Sequence, residues 1–594
     1  MRRSSVAVLA AAMLPAALAV ASLPTAQAAP RATEKVPVAK GTGGAVATVD
    51  PEATRVGLEV LRKGGNAVDA AVAAAATLGV TEPYSAGIGG GGFFVYYDAA
   101  SGDVHTIDGR ETAPAAMTET SFQDPVGTPI PFFDAVNSGL SVGVPGTPLT
   151  WQEALDRWGS VSLAEALRPA TQVASRGFVV DQTFHDQTAA NADRFRLFTP
   201  TAELFLPGDE PPRVGSIFRN LDLAHTYRLL SRQGVDVLYG GRLGREVVAT
   251  VQEPPVADGV DVRSGLMELS DLRAYTAPLR EPTESSYRGL DLYGMSVPSS
   301  GGIAVGETLN ILEGYDMGSL DRTTALHAWF EASALAFADR NRYVGDVPDV
   351  PVDELLSQEF ADERRCEIDL DEAAVKPVPP GTPDGDYAGC GTAVPAEAAV
   401  AAGGSTTHLS TADRWGNVVS YTLTIEQTGG SGIVVPDRGF LLNNELTDFN
   451  FVPTQGTERD PNLPGPGKRP RSSMSPTIVL DDGRPLLAVG SPGGATIITT
   501  VEQVLLNRID FGMSLPDAVA APRASQRNLA NTNAEPAFID LPEADGLAQL
   551  GHVFATTAEI GAVAAIEFLP DGRLLAAAEP VRRGGGSAGV VRPR

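Results

Sequence analysis

Cysteine is almost missing from this sequence: 594 residues carry only Cys366 and Cys390, which excludes a small disulfide-stapled architecture and leaves stability to a buried core. In an exported chain the two most simply close one disulfide loop just upstream of residue 406, with two inert thiols as the alternative. Histidine is scarce as well. His105, His185, His225, His327, His408 and His552 are scattered without ligand spacing, so no metal is expected. Positive charge is in deficit, 45 Lys and Arg against 73 Asp and Glu for a formal charge of -28. That balance argues against nucleic acid or an anionic membrane surface as a partner. Beyond the N-terminal segment no apolar run is long enough to span a bilayer.

What is present begins with an export signal. Met1-Arg2-Arg3, an apolar run over 6–21 and Ala26-Gln27-Ala28 are the charged, apolar and small-residue parts of a secretory leader, 1–28, cleaved after Ala28. Pro15 and Pro24 interrupt it, against a membrane anchor. The protein is therefore expected outside the cytoplasm, with no membrane attachment once the leader is gone. A hydrophobic content of 43% allows a large core, in several lobes or one extended domain.

Residues 29–44 lack periodicity and read as a trailing segment. Asp50-Pro51 is an N-cap with proline at the first helical position, and Gly64-Gly65 ends that helix. A second helix over 66–78, nearly all alanine and valine, reads as buried all round. Gly87, Gly89 and Gly92 fit G-x-G-x-x-G, but here a helix precedes and a strand follows, the reverse of a dinucleotide site, so no nucleotide cofactor is expected. Gly585-Gly586-Ser587-Ala588-Gly589 imitates a nucleophile elbow yet sits in a glycine-rich tail that reads as flexible. Helical text follows to about 338, then an Ala/Pro/Gly-rich stretch over about 372–405 that reads as an exposed linker.

The linker ends at Ser405-Thr406-Thr407-His408, the head of a strand. Asp413-Arg414-Trp415-Gly416-Asn417 is a turn, and a return strand follows over 418–424. A turn centred on Trp415 places Thr406 opposite Thr424. Thr406, His408, Ser410, Ser420, Thr422 and Thr424 then share one face, and Leu409, Val419, Tyr421 and Leu423 the other. Threonine pairs in strands are often plain packing. Thr406 would become more than that if the chain were cut before it, because a new N-terminal amine can serve as the base its hydroxyl lacks. Arg110, where a strand runs out, offers a fork for a carboxylate. Glu445 and Asp448, three apart, suit an ammonium. Gly493 and Gly494 open a helix over 495–507, aiming backbone N–H groups where an oxyanion would form.

These residues carry a resemblance. Gly64-Gly65-Asn66-Ala67-Val68-Asp69-Ala70-Ala71-Val72, Gly109-Arg110-Glu111-Thr112-Ala113-Pro114, Ala336-Phe337-Ala338-Asp339-Arg340, Thr406-Thr407-His408, Leu442-Asn443-Asn444, Lys468-Arg469-Pro470 and the stretches 85–93, 298–302, 472–477 and 490–494 are similar, in the family's own order along the chain, to the γ-glutamyltranspeptidases of the N-terminal-nucleophile hydrolase superfamily. The resemblance implies an α/β fold, a four-layer αββα sandwich, and autocleavage between Ser405 and Thr406 into a large subunit, 29–405, and a small one, 406–594, that stay together as a heterodimer. It implies Thr406 as nucleophile and base, Thr424 as its hydrogen-bonding partner, and Gly493 and Gly494 as the oxyanion hole. Arg110, Ser472 and Ser473 would hold a substrate α-carboxylate and Glu445 and Asp448 its α-ammonium, with no cofactor. The substrates would be glutathione and other γ-glutamyl compounds, with water, amino acids or peptides as acceptors. Two departures stand out. Glu426 replaces an asparagine common in the family near the α-carboxylate, and the loop after Phe449 is short and lacks a lid tyrosine, which predicts a more open pocket. A glutaryl acylase of the same family and an unprocessed binding protein are the competing readings.

Overall fold

The structure is a computed structural model that describes residues 1, 34–387 and 405–593; the expected leader, Met1 apart, and Cys390 lie outside that set, while Cys366 is disulfide-bonded. Its main sheet system contains β1 (Val38–Thr48), β2 (Gly91–Tyr97), β3 (Val104–Gly109), β4 (Leu279–Arg280), β5 (Thr283–Tyr287), β6 (Leu290–Gly294), β7 (Thr406–Asp413), β8 (Val418–Thr424), β9 (Thr477–Asp481), β10 (Arg484–Gly490), β11 (Ala564–Phe568), β12 (Leu574–Ala578) and β13 (Ser587–Pro593). The lateral order is β4-β3-β2-β8-β7-β1-β12-β11-β10-β9-β6-β5, with β13 also paired to β1.

That path doubles back at β1. Its first residues pair with β12, Val38 opposite Ala577 to Gly41 opposite Leu574, and its later ones with β7, Gly44 opposite Asp413 to Ala47 opposite Ser410. Between them the register with β13 shifts, where Gly43 and Gly44 have φ of 89° and 125°. A glycine bulge of this kind bends a strand. The two halves of the path therefore face one another as two sheets. Val95, Ala412 and Val418 of one pack with Ile478, Ala488 and Ile566 of the other.

Helices close both outer faces. α1 (Pro51–Arg62), α2 (Ala67–Thr81), α3 (Leu163–Arg176) and α4 (Leu221–Gln233) lie on one side, where α2, α3 and α4 pack with Phe94, Tyr96, Leu409, Val419 and Tyr421. On the other, α5 (Gly301–Glu313), α6 (Arg322–Tyr343) and α7 (Thr496–Ile509) pack with Phe93, Val479, Val489 and Ala565. This is the αββα arrangement. The helix starts follow the capping rules read from the sequence: Asp50 accepts from Ala53 N, and Asn66 and Asp69 form a reciprocal capping box. Every residue of α2 is buried.

Three expectations are corrected. From Val38 the segment before Gly44 does not trail but forms the first half of β1, exposed or half-buried except at Gly41, while residues 44–48 are all buried, so neither half shows an alternation. The glycine-rich tail is a tight turn into β13, with Gly586 so close to Thr48 that a Cβ would lie 2.8 Å from its carbonyl oxygen. The start of the expected exposed linker is docked: Lys376 pairs with Glu331, and Val378 exchanges two hydrogen bonds with the Asn528 side chain, 2.6 and 2.9 Å.

Candidate active site

The hairpin forms in the expected register, Thr406 opposite Thr424, His408 opposite Thr422 and Ser410 opposite Ser420. Its apolar face meets the helices; its polar face is buried between the sheets, where Ser410 and Ser420 donate to the Ala564 and Val489 carbonyls, both at 3.2 Å. His408 is no base for Thr406. Its ring nitrogens are engaged by Thr422 Oγ1 at 2.8 Å and Ser410 Oγ at 3.2 Å, and burial pushes it down to about 3.

Thr406 Oγ1 donates to Thr424 Oγ1 at 3.3 Å, and Thr424 Oγ1 donates to the Ser405 carbonyl at 2.9 Å while accepting from Glu426 N at 2.8 Å. Ser405 N donates to the Glu426 carbonyl, and the Ser405 and Ser85 hydroxyls are 2.8 Å apart. The Thr406 hydroxyl, the Ser405 carbonyl and a second hydroxyl touching both thus share one corner.

That corner is the floor of a cavity of about 420 Å³. Arg110, Thr406, Thr424, Glu426, Glu445, Asp448, Ser472, Ser473 and Gly494 all line it, so the structure gathers the sequence-predicted residues from six segments. Gly493 sits one residue behind. The backbone N–H groups of Gly493 and Gly494 donate to no acceptor among the described residues, and their φ values of 141° and 57° are glycine conformations. Ile130, Phe132, Phe449 and Phe451 give an apolar wall, and Phe451 stacks on Phe122 at 4.4 Å. Asp460 ties the short loop after Phe449 by accepting from Asn450 Nδ2 at 2.8 Å and Thr454 N at 2.9 Å.

The charges are strongly organised. Arg110, fully buried, donates to Glu445, to Asp448 Oδ2 at 2.6 Å and to the Pro470 carbonyl at 3.1 Å. Burial opposes its charge, but Glu445 and Asp448 more than restore it and hold the guanidinium above its ordinary value. Burial lifts Glu445 to about 8 against the pull of Arg110. Glu426, also buried, is pushed well above the carboxylate range, first by burial and then by the charges of Asp448 and Glu445. It accepts from Asn444 Nδ2 and, at 3.0 Å, from Gln427 Nε2.

Sequence reading gave no role to Arg340 or Ser300. Arg340 donates to Ser300 Oγ at 2.8 Å and to Ser473 Oγ at 2.7 Å, and Ser300 Oγ donates to the Ser472 carbonyl at 2.6 Å. The signal was there: a buried arginine on an otherwise apolar helix face. It also missed a second buried cluster, where His327 Nδ1 lies 2.7 Å from His552 Nε2 and both are near Glu331. These three could reach one metal ion, but the Lys376 ammonium already pairs with Glu331 and His327 Nε2 bonds the Asp369 carbonyl at 2.7 Å.

A two-sheet αββα core with a threonine at the head of an inner strand defines the class of N-terminal-nucleophile hydrolases. The model of the gamma-glutamyltranspeptidase family matches residues 53–589, and the chain belongs to that family. It is 40% identical over 539 residues to the glutathione hydrolase proenzyme of Bacillus subtilis strain 168, covering 89% of this chain and 88% of the relative. To that of Escherichia coli K12 it is 36% identical over 556 residues, 90% of each. Among solved structures, a cephalosporin acylase from Bacillus halodurans superposes with a TM-score of 0.81 at 29% identity, covering 96% of this chain and 99% of that one. Among the described residues no helix is long and apolar enough to cross a membrane.

Proposed function

We propose that this protein is an exported glutathione hydrolase and γ-glutamyltransferase that matures by cutting itself between Ser405 and Thr406. The observation that carries the reading is the contact chain from Thr406 Oγ1 through Thr424 Oγ1 to the Ser405 carbonyl. Thr406 Oγ1 attacks that carbonyl carbon while Thr424 stabilises its oxygen. The C–N bond breaks, the Thr406 nitrogen gains a proton, and the resulting ester is hydrolysed to a Ser405 carboxylate and a free Thr406 amine. The two products, 29–405 and 406–594, remain a heterodimer.

The amine then takes the hydroxyl proton as Oγ1 attacks the γ-carbonyl of a donor. Gly493 and Gly494 N–H groups receive the oxyanion, the donor's amine leaves with the proton, and water, an amino acid or a peptide accepts the γ-glutamyl group from Thr406. A glutamyl zwitterion suits the Arg110, Glu445 and Asp448 cluster: its carboxylate takes donors from Arg110, Ser472 and Ser473, and its ammonium replaces Arg110 on the two acids. Burial pushes Glu426 well above the carboxylate range, which weakens its repulsion of that carboxylate.

The likeness to a cephalosporin acylase keeps a glutaryl donor as the second reading, although such a donor brings no ammonium for Glu445 and Asp448. Two measurements decide. Intact mass of the purified protein and of Thr406→Ala should give two fragments and one uncut chain respectively; an uncut wild-type chain supports a binding protein instead. Rates on γ-glutamyl-p-nitroanilide and glutaryl-p-nitroanilide should favour the former, and the reverse order rejects the γ-glutamyl assignment.

A further inference from the structure

Against Thr406, and not among the residues lining the cavity, stands Arg583, in the turn that leads into β13. Its Nη1 donates to the Thr406 carbonyl at 2.5 Å, and its Nη2 donates to Ser85 Oγ at 2.7 Å and to Ser405 Oγ at 3.3 Å. One guanidinium therefore grips both residues of the bond to be cut. The grip is built rather than incidental. Arg583 occupies the left-handed region, φ 54°, a conformation that costs a non-glycine residue energy and persists where the surroundings impose it. Its N–H donates to Glu559 at 2.9 Å, its carbonyl accepts from Thr183 Oγ1 at 3.1 Å, and Lys35 fastens the carbonyls of Gly584 and Gly585 at 3.2 and 2.9 Å.

We propose that Arg583 is a positioning residue for both the maturation cut and the mature reaction: it fixes the Thr406 carbonyl, and its charge keeps the freed Thr406 amine deprotonated. This rests on the reading of Thr406 as an N-terminal nucleophile. After the cut Thr406 is a strand end with one covalent neighbour, and the pairing with Thr424 and the Arg583 contact restrain where its amine and hydroxyl point. A fixed cation nearby disfavours a second one, so the amine titrates lower and is a free base at lower pH. A unit charge about 6 Å away moves an amine by about half a pH unit even at the dielectric constant of water. The other charges around the amine leave that field standing. Glu445 and Asp448 both pair with Arg110, Glu426 is pushed well above the carboxylate range by burial, Arg340, Arg471 and Arg527 line the cavity and add positive charge, and Glu82, at the end of α2, is pushed up to about 7 by burial against the pull of Arg583. Glu559 and Lys35, behind the turn, are of opposite sign.

The test compares wild type, Arg583→Gln and Arg583→Lys by the rate at which precursor is cut and by the pH profile of kcat/KM on γ-glutamyl-p-nitroanilide. The Gln variant should be cut about tenfold to a hundredfold more slowly, and the acidic limb of its profile should move up by about half a pH unit or more. Lys should leave that limb in place. Wild-type cutting with a wild-type limb in the Gln variant overturns the inference while leaving the Thr406 reading intact; a wild-type chain that neither cuts itself nor turns over overturns the reading instead. Should the Gln variant be insoluble or stay uncut, the amine is titrated directly in the processed wild type by 15N-threonine NMR. A value below the ordinary range of about 7.7 to 8.0 supports the inference, and one within or above that range overturns it.

Discussion

Two buried polar clusters of this molecule differ in how completely they satisfy themselves. Around His327, the imidazoles bond each other and the Asp369 carbonyl, and Lys376 pairs with Glu331. Around Thr406, by contrast, the buried carboxyls of Glu445 and Glu111 face one another, Arg527 Nε has no hydrogen-bond partner, and Arg340, Arg471 and Arg527 form no salt bridge among the described residues. Buried polar groups left without partners are costly. Unpartnered polar atoms also occur away from the cavity, at Glu307, Glu502 and Asn507, so it is the convergence of such groups on one cavity wall that sets the Thr406 cluster apart from the closed one.

That contrast can be broken by experiment. Thr406→Ala, which strips the open cluster of its nucleophile, should lower turnover by about 10⁴-fold or more, read on the uncut chain with γ-glutamyl-p-nitroanilide. Arg110→Ala leaves Glu445 and Asp448 facing each other without a cation. It should lower kcat/KM by about 10³-fold and cost about 3 to 5 kcal/mol of stability, read by steady-state kinetics and denaturant melts; an unchanged KM would remove Arg110 from substrate binding. Glu331→Gln, in the closed cluster, strands the Lys376 ammonium. It should cost about 2 to 3 kcal/mol and shift the unfolding midpoint, yet leave kcat and KM within about twofold. A large KM effect there would erase the distinction between the clusters.

The smallest effect concerns Glu426. Its folded-state value is raised, so the folded protein holds a proton that the unfolded chain releases from about pH 4.5 upward. Its contribution to stability is therefore complete at low pH and is lost as pH rises toward the folded value. Glu426→Gln cannot titrate and should flatten the decline of stability with pH by about 1.4 kcal/mol per unit over that window, measured by urea melts at several pH values. Glu445 and Glu111 are raised for the same reason, so some slope persists.

The hairpin was legible because a tight turn at Trp415 fixes every pair from Val418 opposite Ala412 to Thr424 opposite Thr406. The site's ligands were legible through family motifs, and their convergence on one cavity is what the coordinates add. β1 and β13 were illegible because residues 44–48 and 587–590, small or β-branched, are buried without a break and, Gly41 apart, the rest of each strand is half-buried or exposed, which leaves no alternation to read. Arg583 was hidden inside a glycine-rich run taken for a tail. His327 and His552 are 225 residues apart, and nothing local in either neighbourhood announces the other. Glu426 stood out as a departure from the family pattern, and its partners Asn444 and Gln427 could not be read from the sequence.

The strand β1 has a further consequence. It belongs to the stretch before Thr406, yet its hydrogen-bonded neighbours β7, β12 and β13 all come after it, and β2 lies likewise against β8. Breaking one peptide bond therefore nicks the molecule without dividing it. Dilution cannot part the pieces, because separation would mean tearing backbone ladders from the middle of a sheet; they should migrate as one particle in native gel filtration and as two bands only in detergent.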